Sequence, residues 1–437
     1  MHEPRIQREL RRLWWLDPAW PFAAIVGITI VAAYCQSEAA YALYRTPKYV
    51  QAWHVALAAA AIAAFVLGCR LAAATGRIPE PATDSHDVTI RRWFYVTVVL
   101  TLFGYAAWLA VGLKNGFTVG MLLQLMTPGS VNADWIRTNL FPTIPGITTC
   151  TQFGVPAVVL GLWLYFRGAK NVIAPLALLV VVATARAIVF NERTALIEMF
   201  VPGALVVLRM RFLDRPLPAW FRKTLLAAPV IAPLLLLIFF GSFEYVRSWR
   251  FYHTKFDSFA EFTVWRLSGY YTTAHNNGAM AMETGQPRPL PYYTLRPLWL
   301  FPGVRDSPLG YQHLTDLDVE ENHTLMLERF GNVELNNEGG FFQPALDYGV
   351  AGSLLFWAAY GFVAGRFYRG FQAGTIAGVS IYPLIYLSIL EVPLVLFLCY
   401  PRMFPAFVTL AIVAWTTRRK ESLLPAPRHV PAMLEPS

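Results

Sequence analysis

The chain has 437 residues, of which 56% are hydrophobic and only 14% charged, with a mean hydropathy of +0.43. A soluble chain of this length carries about a quarter charged residues, so the composition excludes an ordinary water-soluble domain and implies surfaces that face lipid. The net charge of +9 is read here as membrane topology rather than as a nucleic-acid footprint, because the basic residues fall between apolar runs. Cys35, Cys69, Cys150 and Cys399 show no metal-ligand spacing and no CxxC. No metal or cofactor is expected, and packed thiols are favoured over a disulfide.

In chain order, apolar runs able to cross a hydrocarbon core of ~30 Å fall near residues 21–42, 51–73, 93–113, 150–166, 172–190, 194–210, 224–245, 344–366, 379–398 and 403–417. Val172 to Met210 as one helix would run about 58 Å, twice the core. A hairpin turning at Asn191-Glu192-Arg193 fits better. It also keeps the basic segments on one side: Arg5 to Arg12, Arg77, Arg91 and Arg92, Arg167 and Lys170, Arg211 to Lys223, Arg369, and Arg418 to Lys420. The positive-inside rule then makes that side cytoplasmic, with both termini inside. The expected fold is an all-α polytopic membrane protein, residues 1–437 forming one integral membrane domain of about ten transmembrane helices. A disordered cytoplasmic tail is expected over 418–437.

One extramembrane segment is large, residues 246–343 between spans seven and eight, and it is placed on the outer, periplasmic face. It alternates aromatic rings, among them Tyr270 and Tyr271, with charges. Helical patterning covers Phe256–Tyr271, and the proline-rich stretch "GQPRPLPYYTLRPLWLFPG" reads as extended. Rings among fixed polar groups suit a sugar-binding cleft, while an interfacial belt around a small core is the plainer alternative. Acid–base candidates crowd "DLDVEENHTLMLERFGNVELNNEGG", residues 316–340. A transferase that activates an acceptor hydroxyl needs a base, and His323 and Glu338 are the candidates; for His323 a structural hydrogen bond is the bland alternative. Asn336, Asn337 and Asp347 are expected at the glycan, with helix capping preferred for Asp347.

Two arginines lie in the apolar run "ARAIVFNERTALIEMF": Arg186, and seven residues later Arg193. A bare arginine at mid-membrane is expensive. Two guanidiniums at the outer lipid–water boundary make a phosphate clamp, since arginine holds phosphate oxygens bidentately and keeps its charge. Arg247 and Arg250, just past span seven, are the next candidates for a diphosphate. The competing expectation puts Arg193 in the headgroups and pairs Arg186 with Glu198.

Asn191-Glu192-Arg193 before an apolar span resembles a signature of the Wzy-type oligosaccharide repeat-unit polymerases, a class of O-antigen polymerases. The stretch from Asn336 to Gly370, with Asp347-Tyr348-Gly349-Val350-Ala351-Gly352 opening a span, resembles a second one. The chain departs from the family in having Glu192 where Gly or Ser is common. The resemblance implies a GT-C-like integral membrane glycosyltransferase of the bacterial inner membrane. Such an enzyme transfers a glycan from undecaprenyl diphosphate to another lipid-linked repeat unit on the outer leaflet. It implies membrane lipids and a polyprenyl-diphosphate-linked oligosaccharide as partners, and it admits a chain-length regulator. An O-antigen ligase acting on lipid A core, a transporter or flippase of lipid-linked glycans, and a structural membrane subunit are the competing classes. Charges gathered at one cavity favour an enzyme, and charges strung along a channel favour transport.

Overall fold

The computed structural model describes residues 13–75, 87–118, 120–121, 135–190, 192–212, 218–285 and 288–423. Among these, every regular element is helical. The architecture rests on α1 (Ala19–Cys35), α2 (Ala52–Ala74), α3 (Asp87–Lys114), α4 (Gly154–Phe166), α5 (Ile173–Phe190), α6 (Thr194–Val207), α7 (Ala228–Arg247), α8 (Phe259–Thr284), α9 (Val319–Phe330), α10 (Gln343–Ala373), α11 (Ile376–Glu391) and α12 (Phe404–Leu423).

Six helical stretches are long and apolar enough to cross a membrane: α2, α3, the stretches 148–166 and 170–190 that contain α4 and α5, α7 and α10. Helices α1 and α11 and residues 404–417 of α12 are apolar but shorter. The runs expected at 21–42 and 379–398 stop early as helices. After Cys35 the chain turns, and Ser37 caps a separate helix Glu38–Leu43 by accepting from Ala40 N at 3.2 Å. Helix α11 ends at Glu391, two residues before Pro393, whose ring cannot donate to a helical ladder. The run 172–210 divides between Phe190 and Thr194, although Asn191 itself lies outside the described residues. So do residues 424–437 of the expected tail, while α12 continues helically to Leu423.

The tightest seam joins α2 to α10. A Cβ on Gly361 would sit 2.0 Å from Phe65 O, and one on Gly68 would sit 2.0 Å from Ala358 O. Only hydrogen allows these backbones to touch, the logic of small-residue packing in lipid. Beside it Phe22, Phe65, Trp357 and Phe341 stack into the buried core. At one end of this pair, arginines cap carbonyls that helices leave unsatisfied. Arg369 Nη1 donates to Ala72 O and Thr75 O at 2.9 and 2.8 Å, and Arg209 Nε donates to Phe371 O at 2.7 Å.

The segment expected as a large loop carries a long helix of its own. Helix α8 starts at Phe259, capped by Ser258, and continues 13 residues past Tyr271 to Thr284, about 39 Å in all. It packs against α1, α7 and α10, and Thr272, Thr273, His275, Asn276 and Asn277 are buried. Each polar group there must find a partner. His275 Nε2 pairs with Thr29 Oγ1 at 2.8 Å, and Thr272 Oγ1 accepts from Gln36 Nε2 at 3.0 Å. Asn276 Oδ1 accepts from Tyr49 N at 2.7 Å, and Asn277 Nδ2 donates to Leu335 O and Asn337 O at 2.8 and 2.9 Å. The proline-rich stretch after α8 is irregular over 288–295 and then turns into a short helix, Arg296–Trp299.

Candidate active site

The charges that were out of place in an apolar run are bound to one another. Glu192, in the break between α5 and α6, accepts from Arg186 Nη2 at 3.3 Å through one oxygen. Its other oxygen accepts from Arg402, which enters just before α12. Arg402 also pairs through Nε with Glu198, at 2.8 Å. The expected Arg186–Glu198 pair is therefore not made; Arg402 takes Glu198, and Arg186 takes Glu192. Glu192 is held by Arg186 and Arg402, not by Arg193.

Arg193 turns the other way. Its Nη1 donates to Glu244 of α7 at 2.8 Å, and its guanidinium lies 4.0 Å from the Phe240 ring and 5.5 Å from the Tyr270 ring. Glu244 is 0% exposed and also faces Arg266 Nε at 3.5 Å; Arg266 in turn reaches Glu334 at 2.8 Å. Tyr270 is shared, since Arg266 stands 5.5 Å over the same ring. Three arginines, from α5, the α5–α6 break and the approach to α12, thus meet around residues 192–193. The two expected clamp residues do not share one partner, and each guanidinium is neutralised by a carboxylate of the chain. Two donors are left over: Arg402 Nη2 and Arg266 Nε are buried without a hydrogen-bond acceptor among the described residues. Glu391, at the end of α11, lies within electrostatic reach of Arg193, Glu198 and Tyr271. No hydrogen-bond partner holds its carboxylate among the described residues.

Arg247 and Arg250 are exposed at and beyond the end of α7. Among the described residues, no contact ties either of them to Arg186 or Arg193.

The carboxylates of the loop form a second assembly. Arg296 grips Glu338 bidentately, at 2.8 and 3.0 Å, and also binds Glu320 of α9. Gln343 Nε2 donates to Glu338 at 2.6 Å. Tyr292 Oη donates to Glu320 at 2.7 Å, and burial, with the Glu320 charge beside it, pushes that phenol well above its ordinary range. It remains a proton donor. Tyr400 connects the two assemblies, 5.6 Å from the Arg296 guanidinium and two residues before Arg402.

Asp347 does not cap its own helix. Its carboxylate accepts from Tyr292 N, Tyr293 N, Thr294 N and Thr294 Oγ1 at 2.9, 3.2, 2.7 and 2.8 Å, pinning the strap 292–294 onto α10. Two residues on, Gly349 breaks α10 with φ 70°. The Gly339-Gly340 pair packs closely against the chain itself: added Cβ atoms would lie 2.3 Å from Ala274 O and 2.2 Å from Val395 C. Asn336 and Asn337 present carbonyls, to His323 Nε2 at 3.4 Å and to Asn277. His323 lines a separate cavity with Arg288 and Arg329, so the two base candidates face different surroundings.

Arg402, Glu391 and Arg266 are the residues that sequence reasoning missed. Arg402 had a signal, a basic residue in the break "YPRMFP" between two apolar runs, but nothing local names partners some two hundred positions away. No family model, curated protein or solved structure matches the chain.

Proposed function

We propose that the protein is a glycosyltransferase that polymerises lipid-linked oligosaccharide repeat units. In this reading it spans the bacterial inner membrane about ten times and works at the periplasmic face. The observation that carries the reading is the meeting of Arg186, Arg193 and Arg402 around one helix break, with a buried guanidinium donor unspent. Charges gathered at such a focus, rather than strung along a path, favour chemistry over transport.

In this mechanism an undecaprenyl diphosphate headgroup competes with Glu192 and Glu198 for the guanidiniums. A diphosphate, with two negative charges over its four non-bridging oxygens, is the stronger acceptor for arginine's fork. The guanidiniums then neutralise the charge that develops on the departing diphosphate as the anomeric C–O bond breaks. The carboxylate best placed to take the acceptor hydroxyl's proton is Glu391, which lies within electrostatic reach of Arg193 and which no hydrogen bond holds among the described residues. Glu338 serves as the anchor of Arg296, because Arg296 and Gln343 occupy its oxygens. Tyr270 offers a ring beside Arg193 on which a sugar face can rest.

The test is turnover of purified protein in nanodiscs supplied with lipid-linked repeat units, scored as a ladder on a gel. Growth of the ladder, and its loss in Arg402→Lys at equal folded protein, supports the assignment. Transfer only when lipid A core is added makes the protein a ligase. No transfer to either acceptor removes the enzyme reading.

A further inference from the structure

Helix α9 has two working faces. Glu320 points to Arg296, whereas Val319, Asn322, His323, Met326 and Arg329 recur at helical spacing on another face and line a cavity of 240 Å³. The far wall comes from the end of α8 and from Arg288 and Tyr293. Tyr293 is 3% exposed and hangs from the strap that Asp347 pins, so this wall is fixed through its backbone. Arg288 lies over the Tyr293 ring at 4.6 Å and donates through Nη2 to its hydroxyl at 3.3 Å.

The lining holds two arginines and a histidine and no Asp or Glu. Every arginine of the assemblies described above is paired with a carboxylate. Among the described residues, neither Arg288 nor Arg329 has an ion-pair partner. Stacking on an aromatic face orients a guanidinium while leaving its edge N–H groups to bind a planar or tetrahedral anion. The volume is below the ~300–1,000 Å³ of typical small-molecule pockets, so it takes one ring rather than a chain. Leu317, Leu325 and Phe330 supply apolar wall for a ring face, and Asn322 and Thr284 supply polar groups for hydroxyls.

We infer that this cavity is a subsite for one acidic sugar unit, its carboxylate or phosphate held by Arg288 and Arg329 and its ring against Tyr293 and Phe330. The ligand's identity as part of a glycan rests on the polymerase reading; the anion preference rests on the cavity alone. The repeat unit handled by this protein would then carry a negative charge at the position that reaches α9.

Binding without turnover separates the two claims. Full-length protein in nanodiscs is titrated with glucuronate, glucose 6-phosphate, glucose and inorganic phosphate, followed by calorimetry or ligand-observed NMR. At least one acidic sugar is expected to saturate the protein while glucose binds at least about tenfold more weakly, the scale of one charged hydrogen bond. Arg329→Ala and Arg288→Ala should each weaken the acidic sugar by about tenfold or more. Equal binding of glucose and glucuronate, unchanged binding in both variants, or no saturable binding of either acidic sugar overturns the proposal. Inorganic phosphate binding as tightly as glucose 6-phosphate overturns its sugar component. A protein that binds glucuronate yet yields no ladder keeps the acidic subsite and loses the polymerase.

Discussion

The arginines around the α5–α6 break and those of the α9 cavity are the same residue in opposite situations. Arg186, Arg193 and Arg402 stand among apolar helix ends, where an unpaired charge is costly, and each is matched by Glu192, Glu198 or Glu244. Arg288 and Arg329 stand on the loop side of the molecule, Arg329 exposed, without carboxylate partners among the described residues. Burial forces the chain to neutralise a charge itself; exposure leaves that task to water or to a ligand. The first group should therefore matter to folding as well as to activity, and the second to binding alone.

The sharpest way to break this contrast is Arg402→Ala. It strands Glu198, 2% exposed, and leaves Glu192 with Arg186 alone; removing one partner of a buried pair costs about 3–5 kcal/mol. Thermal unfolding in nanodiscs should show that loss together with loss of chain growth. Adding Glu198→Gln to Arg402→Ala should recover part of the stability and none of the activity. Wild-type melting of the single variant would mean that the carboxylates are not held by Arg402.

Two further variants separate charge from fork and pairing from chemistry. Arg193→Lys keeps a cation beside Glu244 but gives up the planar guanidinium. Chain growth should fall at least tenfold with the protein still folded. Glu391→Gln should abolish growth with little change in melting, since its side chain makes no hydrogen bond among the described residues, whereas Glu338→Gln should retain growth. The opposite outcome for that pair would return the base to the loop carboxylate expected from sequence.

Asp347→Asn comes next in size. A helix cap would tolerate Asn at a few tenths of a kcal/mol. Here the second oxygen accepts from Thr294 N and Oγ1. An amide nitrogen at that position would face donors, so about 1–3 kcal/mol should be lost. Protection of the 292–294 amides against hydrogen exchange is the direct readout.

What could be read in advance follows from the range of each interaction. The apolar centres of the long helices were legible, and 51–73 against Ala52–Ala74 matched almost to the residue, because lipid exposure is a property of the local run. Ends such as Ala373, seven residues past the expected 366, were not. The helix break after Phe190 was legible from length alone. Helix α8 was only half seen, as its later turns, "TTAHNNGAMAMET", carry buried polar groups that hydropathy scores as exposed. The partners of His275, Thr272 and Asn276, which are Thr29, Gln36 and Tyr49, lie more than two hundred residues away. The site had the same character: Arg186 and Arg193 announced that they needed partners, but the pairing of Arg402 with Glu192 and Glu198 is a product of packing.

The smallest expected effect completes the comparison. Arg329→Ala removes an exposed guanidinium that stands 5.3 Å over the Phe330 ring and pairs with no carboxylate among the described residues. No buried charge is stranded by the change, and Ala suits the last turn of α9 at least as well as Arg. Surface substitutions away from buried networks fall within about 0.5 kcal/mol of wild type, and the melting temperature should stay with it. Measured beside Arg402→Ala under the same lipid and salt, the pair contrasts a buried arginine that leaves a carboxylate behind with an exposed one that leaves none. If Arg329→Ala destabilises the protein as Arg402→Ala does, the cavity arginine is part of the packed frame, and the division between self-neutralised and ligand-seeking arginines fails.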